Sequence, residues 1–175
     1  MSRSRLEITQ RDHVLGPADA PLTLIEYGDF ECPHCGRAHQ VIKPLQQRFG
    51  KQLRLVYRHF PLKQMHPLAE SAAETSEFAG AGGKFWEMHD LLFENQEQLG
   101  IDLYMDLAEE LGLSRAALQV ALGSGEFSAK VRSDFSDGVR SGVNGTPTFF
   151  INGERFDGAV EDLAEALQQE LQRAA

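Results

Sequence analysis

The 175-residue chain has only two cysteines, and they sit together in Cys32-Pro33-His34-Cys35. A bridge between thiols this near constrains almost none of the chain, which excludes a structural disulfide framework. At a helix start the first sulfur would face unpaired N–H groups at the positive end of the helix dipole. That setting favours the thiolate and brings the thiol pKa below its reference value of roughly 8.5. Cys35, one turn further on, is placed to attack a mixed disulfide held at Cys32, and reversible dithiol/disulfide exchange needs only this pair. Pro33 suits a first helical turn, and a protonated or hydrogen-bonding His34 would favour the Cys32 thiolate further. Zinc binding is the rival chemistry. It needs two more ligands, and although His34 and His39 are near in sequence, no second CxxC or spaced His pair accompanies them.

Three further positions bear on this chemistry. Glu26 interrupts an apolar segment six residues before Cys32. If buried it must be paired or neutral, with a raised pKa suited to proton transfer beneath the cysteines; the alternative is a strand residue facing solvent. Thr146-Pro147 opens a late apolar run, where a proline marks an edge or loop position. On residue types alone its peptide bond is expected to be trans, since only about 5–6% of X–Pro bonds in folded proteins are cis. Phe30, with Phe60 or Met65, is a candidate border of an apolar surface near Cys32 that would take unfolded polypeptide. His13, His59, His66 and His89 show no metal-ligand spacing and read as solvated or hydrogen-bonding residues. No metal, flavin, nicotinamide or phosphate site is signalled, since neither GxGxxG nor GxxxxGK occurs.

The elements that must hold these residues can be read in order. Residues 1–20 form an arm and lead-in loop, and Leu22 to Tyr27 a buried strand. A helix from Pro33 to Phe49 follows, with Val41, Ile42, Leu45 and Phe49 inward, a bend at Pro44 and Gly50 closing it. Leu53 to Arg58 is a second strand, parallel to the first through a right-handed crossover. From Met65 to Ser141 the pattern is helical: 68–78, 84–96, 103–111, 115–122 and 128–140, with Ser114 as a cap and His66-Pro67 starting the first helix. The aromatic stretch Phe85 to Phe93 reads as helix core, or more sharply as a groove lining. Strand character returns at Thr148 to Ile151. Asn152-Gly153 turns it into a hairpin with Arg155-Phe156, and a last helix runs from Val160 to about Gln172. The fold class is α/β, a split βαβ…ββα core at residues 15–62 and 142–175 with an all-helical insertion at 63–141.

Composition excludes several functions. Hydrophobic residues make up 42% of the chain, enough for a core, and Lys+Arg 17 against Asp+Glu 26 gives a net charge of −9. Without a basic block, no nucleic-acid partner is expected. No apolar run approaches the roughly 20 residues that span a bilayer, so no membrane insertion is expected. Met1 to His13 lack an apolar segment with a cleavage site, so a cytoplasmic location is expected, or a periplasmic or extracellular one if a leader has been removed.

Phe30-Glu-Cys-Pro-His-Cys35, Phe60-Pro-Leu with His66-Pro67, Lys84-Phe-Trp-Glu-Met-His89, and Val143-Asn-Gly-Thr-Pro-Thr148-Phe-Phe-Ile-Asn-Gly153 together resemble the DsbA-like thiol:disulfide oxidoreductases of the thioredoxin superfamily. The resemblance runs from about Leu15 to Leu171. It implies a thioredoxin-like fold with an inserted helical domain, Cys32 as exposed nucleophile and Cys35 as buried resolving thiol. It also implies a cis Thr146–Pro147 bond, reversing the expectation from residue types, with the backbone before Pro147 pairing with an extended substrate segment. Glu26 matches the family's buried acid. The partners implied are protein or peptide thiols and disulfides, with a small thiol or redox protein as recycling partner. Two rivals remain open: a glutathione-linked transferase or isomerase, against which the resolving Cys35 argues, and a non-catalytic peptide-binding or chaperone-like module.

Overall fold

The computed structural model describes residues 6–175. Five strands form one mixed sheet: β1 (His13–Leu15), β2 (Leu22–Gly28), β3 (Leu53–His59), β4 (Thr148–Ile151) and β5 (Glu154–Phe156), in the spatial order β1-β3-β2-β4-β5. β2 and β3 are parallel, joined by helix α1 (Pro33–Phe49), and every other pairing is antiparallel. Helices α2 (Ala69–Ala81), α3 (Phe85–Glu94), α4 (Ile101–Glu110), α5 (Arg115–Ser124) and α6 (Ser128–Arg140) fall between β3 and β4, and α7 (Leu163–Ala174) closes the chain.

Alternation along β2 sorts its side chains to two faces. Leu22 and Leu24 join Ile42, Leu45, Leu163 and Leu167 under α1 and α7, whereas Ile25 and Tyr27 meet Val56, Phe60 and Phe150 on the far side. The same alternation puts Glu26 on the α1 face, beside its register partner Tyr57. A third apolar cluster joins the sheet to the insertion, with Phe30, Cys32, Cys35 and Tyr57 sharing it with Phe85, Met88, Leu92 and Tyr104. The Cys32–Cys35 turn and the helical insertion therefore bury each other.

Three expectations need correction. The lead-in arm contains β1, because Asp12 and the carbonyl of Glu7 bind the buried Arg58 guanidinium (Asp12 Oδ1 to Nε, 2.8 Å) and hold the segment against β3. Val41 is only half-buried, and Cys35, Ala38 and His39 complete the inward face of α1 instead. The first insertion helix begins at Ala69, and His66 turns back toward Asp29, ahead of the cysteines. Ser114 does cap α5, accepting from the Ala117 N–H at 3.1 Å, and Asn152 and Gly153 both take positive φ (48° and 85°), as a two-residue hairpin turn requires.

Candidate active site

Cys32 is the N-cap of α1 and Pro33 its first helical residue. Proline has no N–H to lose at this position, and its fixed φ is already helical. Asp29 sets the approach to the helix. One carboxylate oxygen accepts from the N–H groups of Glu31 (2.8 Å) and Cys32 (3.2 Å), the other from the Leu62 N–H and from His66 Nδ1 (both 2.9 Å). Gln96, just after α3, donates to the carbonyls of Phe30 and Cys32, both at 2.8 Å. The turn is thus held from the sheet side by Asp29 and from the insertion by Gln96.

The two sulfurs are in different electrostatic positions. A hydrogen bond from Cys35 lowers the Cys32 thiol to about 5, against the opposing effect of burial, with Thr146 and the main-chain N–H groups of Cys35 and His34 adding to the shift. Cys35 is fully buried, and burial, its bond to Cys32 and the charge of Glu26 push it well above the ordinary thiol range. Such a pair holds one thiolate ready and keeps the second protonated until it is needed. Cys32 is itself only 4% exposed, which corrects the expected exposed nucleophile. The cis Thr146–Pro147 loop lies against it, with the Thr146 carbonyl oxygen 3.7 Å from its Sγ. Thr146 and Pro147 are half-buried, and Pro33 and His34 are exposed.

Glu26 is buried beside Tyr57, and its Oε1 has no hydrogen-bond partner. Burial first, then the neighbouring Cys32 charge, raises its carboxyl from 4.5 to about 8. The alternative of a solvent-facing strand residue is thereby overturned.

Phe30 does not border an open surface. It is 1% exposed and surrounded by Tyr57 (centroids 5.2 Å apart), Phe93 (4.8 Å) and His89 (5.7 Å), because the turn carries its side chain inward under α3. Phe60 is also buried, stacked on Phe135 at 4.3 Å. Met65 alone of the three is exposed, and with Pro61, Leu62 and Phe135 it lines an apolar hollow. Asp29 ties Leu62, and so this hollow, to the cysteine turn.

The histidines are not solvated as a group. His59 and His89 are buried, and the Nε2 atoms of His13 and His59 converge on Glu77 Oε2 at 2.5 and 2.8 Å. These three side chains form one set able to hold a metal, and His39, His89 and Asp90 form another; neither includes Cys32 or Cys35. The first set already makes direct hydrogen bonds, tighter than the roughly 3.3 Å between ligands around a tetrahedral zinc with bonds of about 2.0–2.1 Å. Asp29 and Gln96 escaped the sequence reading. An Asp accepting from residues two and three ahead is a recognisable turn signal, whereas Gln96 acts across 64 residues and leaves no local trace.

A thioredoxin family profile matches residues 8–169. The chain belongs to the thioredoxin family. Its fold is that of the DsbA-like oxidoreductases within that family. This thioredoxin-family chain is similar to BdbD of Bacillus subtilis in its oxidised form, with 26% identity, a TM-score of 0.84, and 93% of this chain and 94% of that one covered. It is equally similar to a thioredoxin-like oxidoreductase from Silicibacter pomeroyi, with 28% identity, a TM-score of 0.84, and 99% and 98% coverage. Curated relatives include a protein named Na(+)/H(+) antiporter NhaA 1 from Salinispora arenicola, 43% identical over 159 residues, which are 90% of this chain and 24% of that protein. The chain spans about a quarter of the length of such relatives. A match of 159 residues in 175 must include the stretch from Cys32 to Pro147.

Proposed function

We propose that the chain exchanges disulfides with protein substrates through Cys32 and Cys35. The observation that carries this reading is the placement of the two thiols: Cys32 caps the N-terminus of α1 against the cis Thr146–Pro147 loop, and Cys35 lies buried one turn behind it. In the reducing direction the Cys32 thiolate attacks a substrate disulfide, the substrate S–S bond breaks, and one substrate thiolate leaves and takes up a proton. With Cys32 bonded to substrate its charge no longer raises Glu26, and the Glu26 carboxyl, once ionised, takes the Cys35 proton as Cys35 attacks Cys32 Sγ. The second substrate thiolate is released, and two electrons have passed from the dithiol to the substrate. The oxidising direction is the reverse.

The Thr146 backbone beside Cys32 is suited to align an extended peptide. The hollow at Met65 and Phe135 is suited to its apolar side chains. Direction follows the compartment: a cytoplasmic glutathione pool keeps both thiols reduced, and an oxidising compartment favours the disulfide. Ion antiport is the name attached to relatives of about four times this length; among the described residues no helix is long and apolar enough to cross a membrane.

Insulin reduction with a recycling thiol tests the proposal. Catalysis that disappears in Cys32→Ser supports exchange. A peptide affinity that this substitution leaves untouched, with no catalysis in the natural chain, would favour a binding module.

A further inference from the structure

Asp29 links the cysteines to the loop that follows β3. Its side chain has no exposed surface, and three of the four donors it accepts are main-chain N–H groups. The fourth is His66 Nδ1 at 2.9 Å, the one donor of the four that can carry a charge. Oδ1 accepts from the Cys32 N–H at 3.2 Å and Oδ2 meets the imidazole, so His66 stands two hydrogen bonds from the start of α1. The loop is folded to keep the ring there. The Leu62 carbonyl accepts from the N–H groups of Met65 (3.0 Å) and His66 (2.8 Å), and the Glu31 carboxylate accepts from the Leu68 N–H.

A carboxylate bonded to the Cys32 N–H brings a negative charge beside the sulfur that must itself become an anion, and a like charge nearby disfavours that ionisation. A protonated His66 cancels the charge while the bond to Cys32 stays in place. We propose that His66 is a positioning residue for the exchange reaction proposed above, its imidazolium offsetting Asp29 so that the carboxylate can hold the start of α1 without driving charge off the Cys32 sulfur. The inference rests on that reading, in which Cys32 is the reacting atom. The Cys32 thiolate and the His66 proton then favour each other. When the cysteines are oxidised the sulfur loses its charge, and His66 holds its proton less firmly by the same factor, since a coupling between two sites is a single free energy.

The groups around His66 agree with this direction. Asp29, Glu31 and Cys32 face it from the cysteine turn. Burial lowers the imidazole, but its bond to Asp29 and the charges of Asp29, Cys32 and Glu31 outweigh burial and raise it above the ordinary histidine value. Lys63, in the same loop, is paired with Glu70 at 2.9 Å. From the insertion, Tyr104 on α4 reaches the adjoining Leu68 carbonyl at 3.2 Å; burial raises its hydroxyl to about 12, so it brings no charge. His66 is 15% exposed, open enough to exchange its proton with solvent. Beside the exposed His34 of the motif, it is a second histidine able to act on the thiolate.

Two measurements test this. Nuclear magnetic resonance titration of the His66 imidazole needs only the reduced chain and the chain oxidised chemically, with no substrate. The proton is expected to be held about three- to tenfold less tightly in the oxidised chain and in reduced Cys32→Ser than in the reduced natural chain. Equal affinity in the two redox forms overturns the proposal. Equilibration with glutathione gives the converse. At about pH 6.5 the disulfide of His66→Gln is expected to be about three- to tenfold harder to reduce than the natural one, and the gap is expected to close at about pH 9, where the natural imidazole is neutral too. A gap of equal size at both pH values would mean packing alone and overturns the role of the charge, as does no gap at either. Asp29→Asn removes the carboxylate's charge and keeps its shape; in that background His66→Gln should matter less than about twofold, and an undiminished effect there also overturns the proposal. Should His66→Gln fail to fold, the titration of the natural chain decides. If the natural chain never equilibrates with glutathione, the exchange reading itself is wrong; if it does and His66 titrates alike in both redox forms, only the part given to His66 is.

Discussion

Replacing Glu26 by leucine is expected to stabilise the reduced protein by an amount that grows with pH. The carboxyl titrates at about 8 in the fold against 4.5 when unperturbed. Because the folded value is the higher one, the stability of the neutral form is complete below pH 4.5 and is lost as pH rises through 8. Each unit is worth 1.36 kcal/mol, so the difference of 8 − 4.5 = 3.5 units amounts to about 5 kcal/mol across the window, of which about 3 kcal/mol has accrued by pH 7. Leucine has no proton to lose. Its shape adds an offset to the comparison but no slope. Denaturant unfolding of both proteins under reducing conditions, at several pH values between 4.5 and 8, measures the difference directly. A difference that stays flat over that range would mean that Glu26 is solvated or ionised in the fold, and the account of a buried acid would be refuted.

Other consequences can be checked alongside. Cys35→Ser should accumulate a mixed disulfide between Cys32 and substrate, visible as a mass adduct that thiol reductant removes; turnover at the natural rate would deny Cys35 its resolving role. Asp29→Ala leaves four donors without their acceptor and should cost about 2–4 kcal/mol in thermal or denaturant unfolding. Gly36→Ala would set a Cβ 2.4 Å from Gln96 Oε1, displacing the side chain that holds the Phe30 and Cys32 carbonyls. A loss of about 1–2 kcal/mol is expected, and it should largely vanish when Gln96→Ala is already present.

What could be read from the sequence depended on how local the determining physics was. Helix α1 was legible to the residue because Pro33 and Gly50 mark its ends through their own backbone preferences. The Asn152-Gly153 hairpin was legible for the same reason. β1 was not, since three residues carry no periodicity and the strand exists through its pairing with β3 and the Arg58–Asp12 contact. Glu26 could be placed on a strand but not on a face, because an alternating pattern fixes relative sides and only the partner elements say which side is covered. Phe30 illustrates the opposite error: nearness to Cys32 in sequence suggested a shared surface, whereas the turn sends the ring into the core. Cys32 was expected in the open from the family resemblance, and the Thr146–Pro147 loop, more than a hundred residues away in sequence, lies against it. Glu77 was not singled out at all, and its two histidine partners come from β1 and β3.

The account depends most on Cys32 being a thiolate at neutral pH while Cys35 is not. Ultraviolet absorbance of the reduced protein against pH, with Cys35→Ser and Cys32→Ser as single-thiol controls, measures this directly. One thiol ionising near pH 5 and the second only above pH 9 is the predicted result. Two thiols ionising together at the ordinary value of about 8.5 would contradict it.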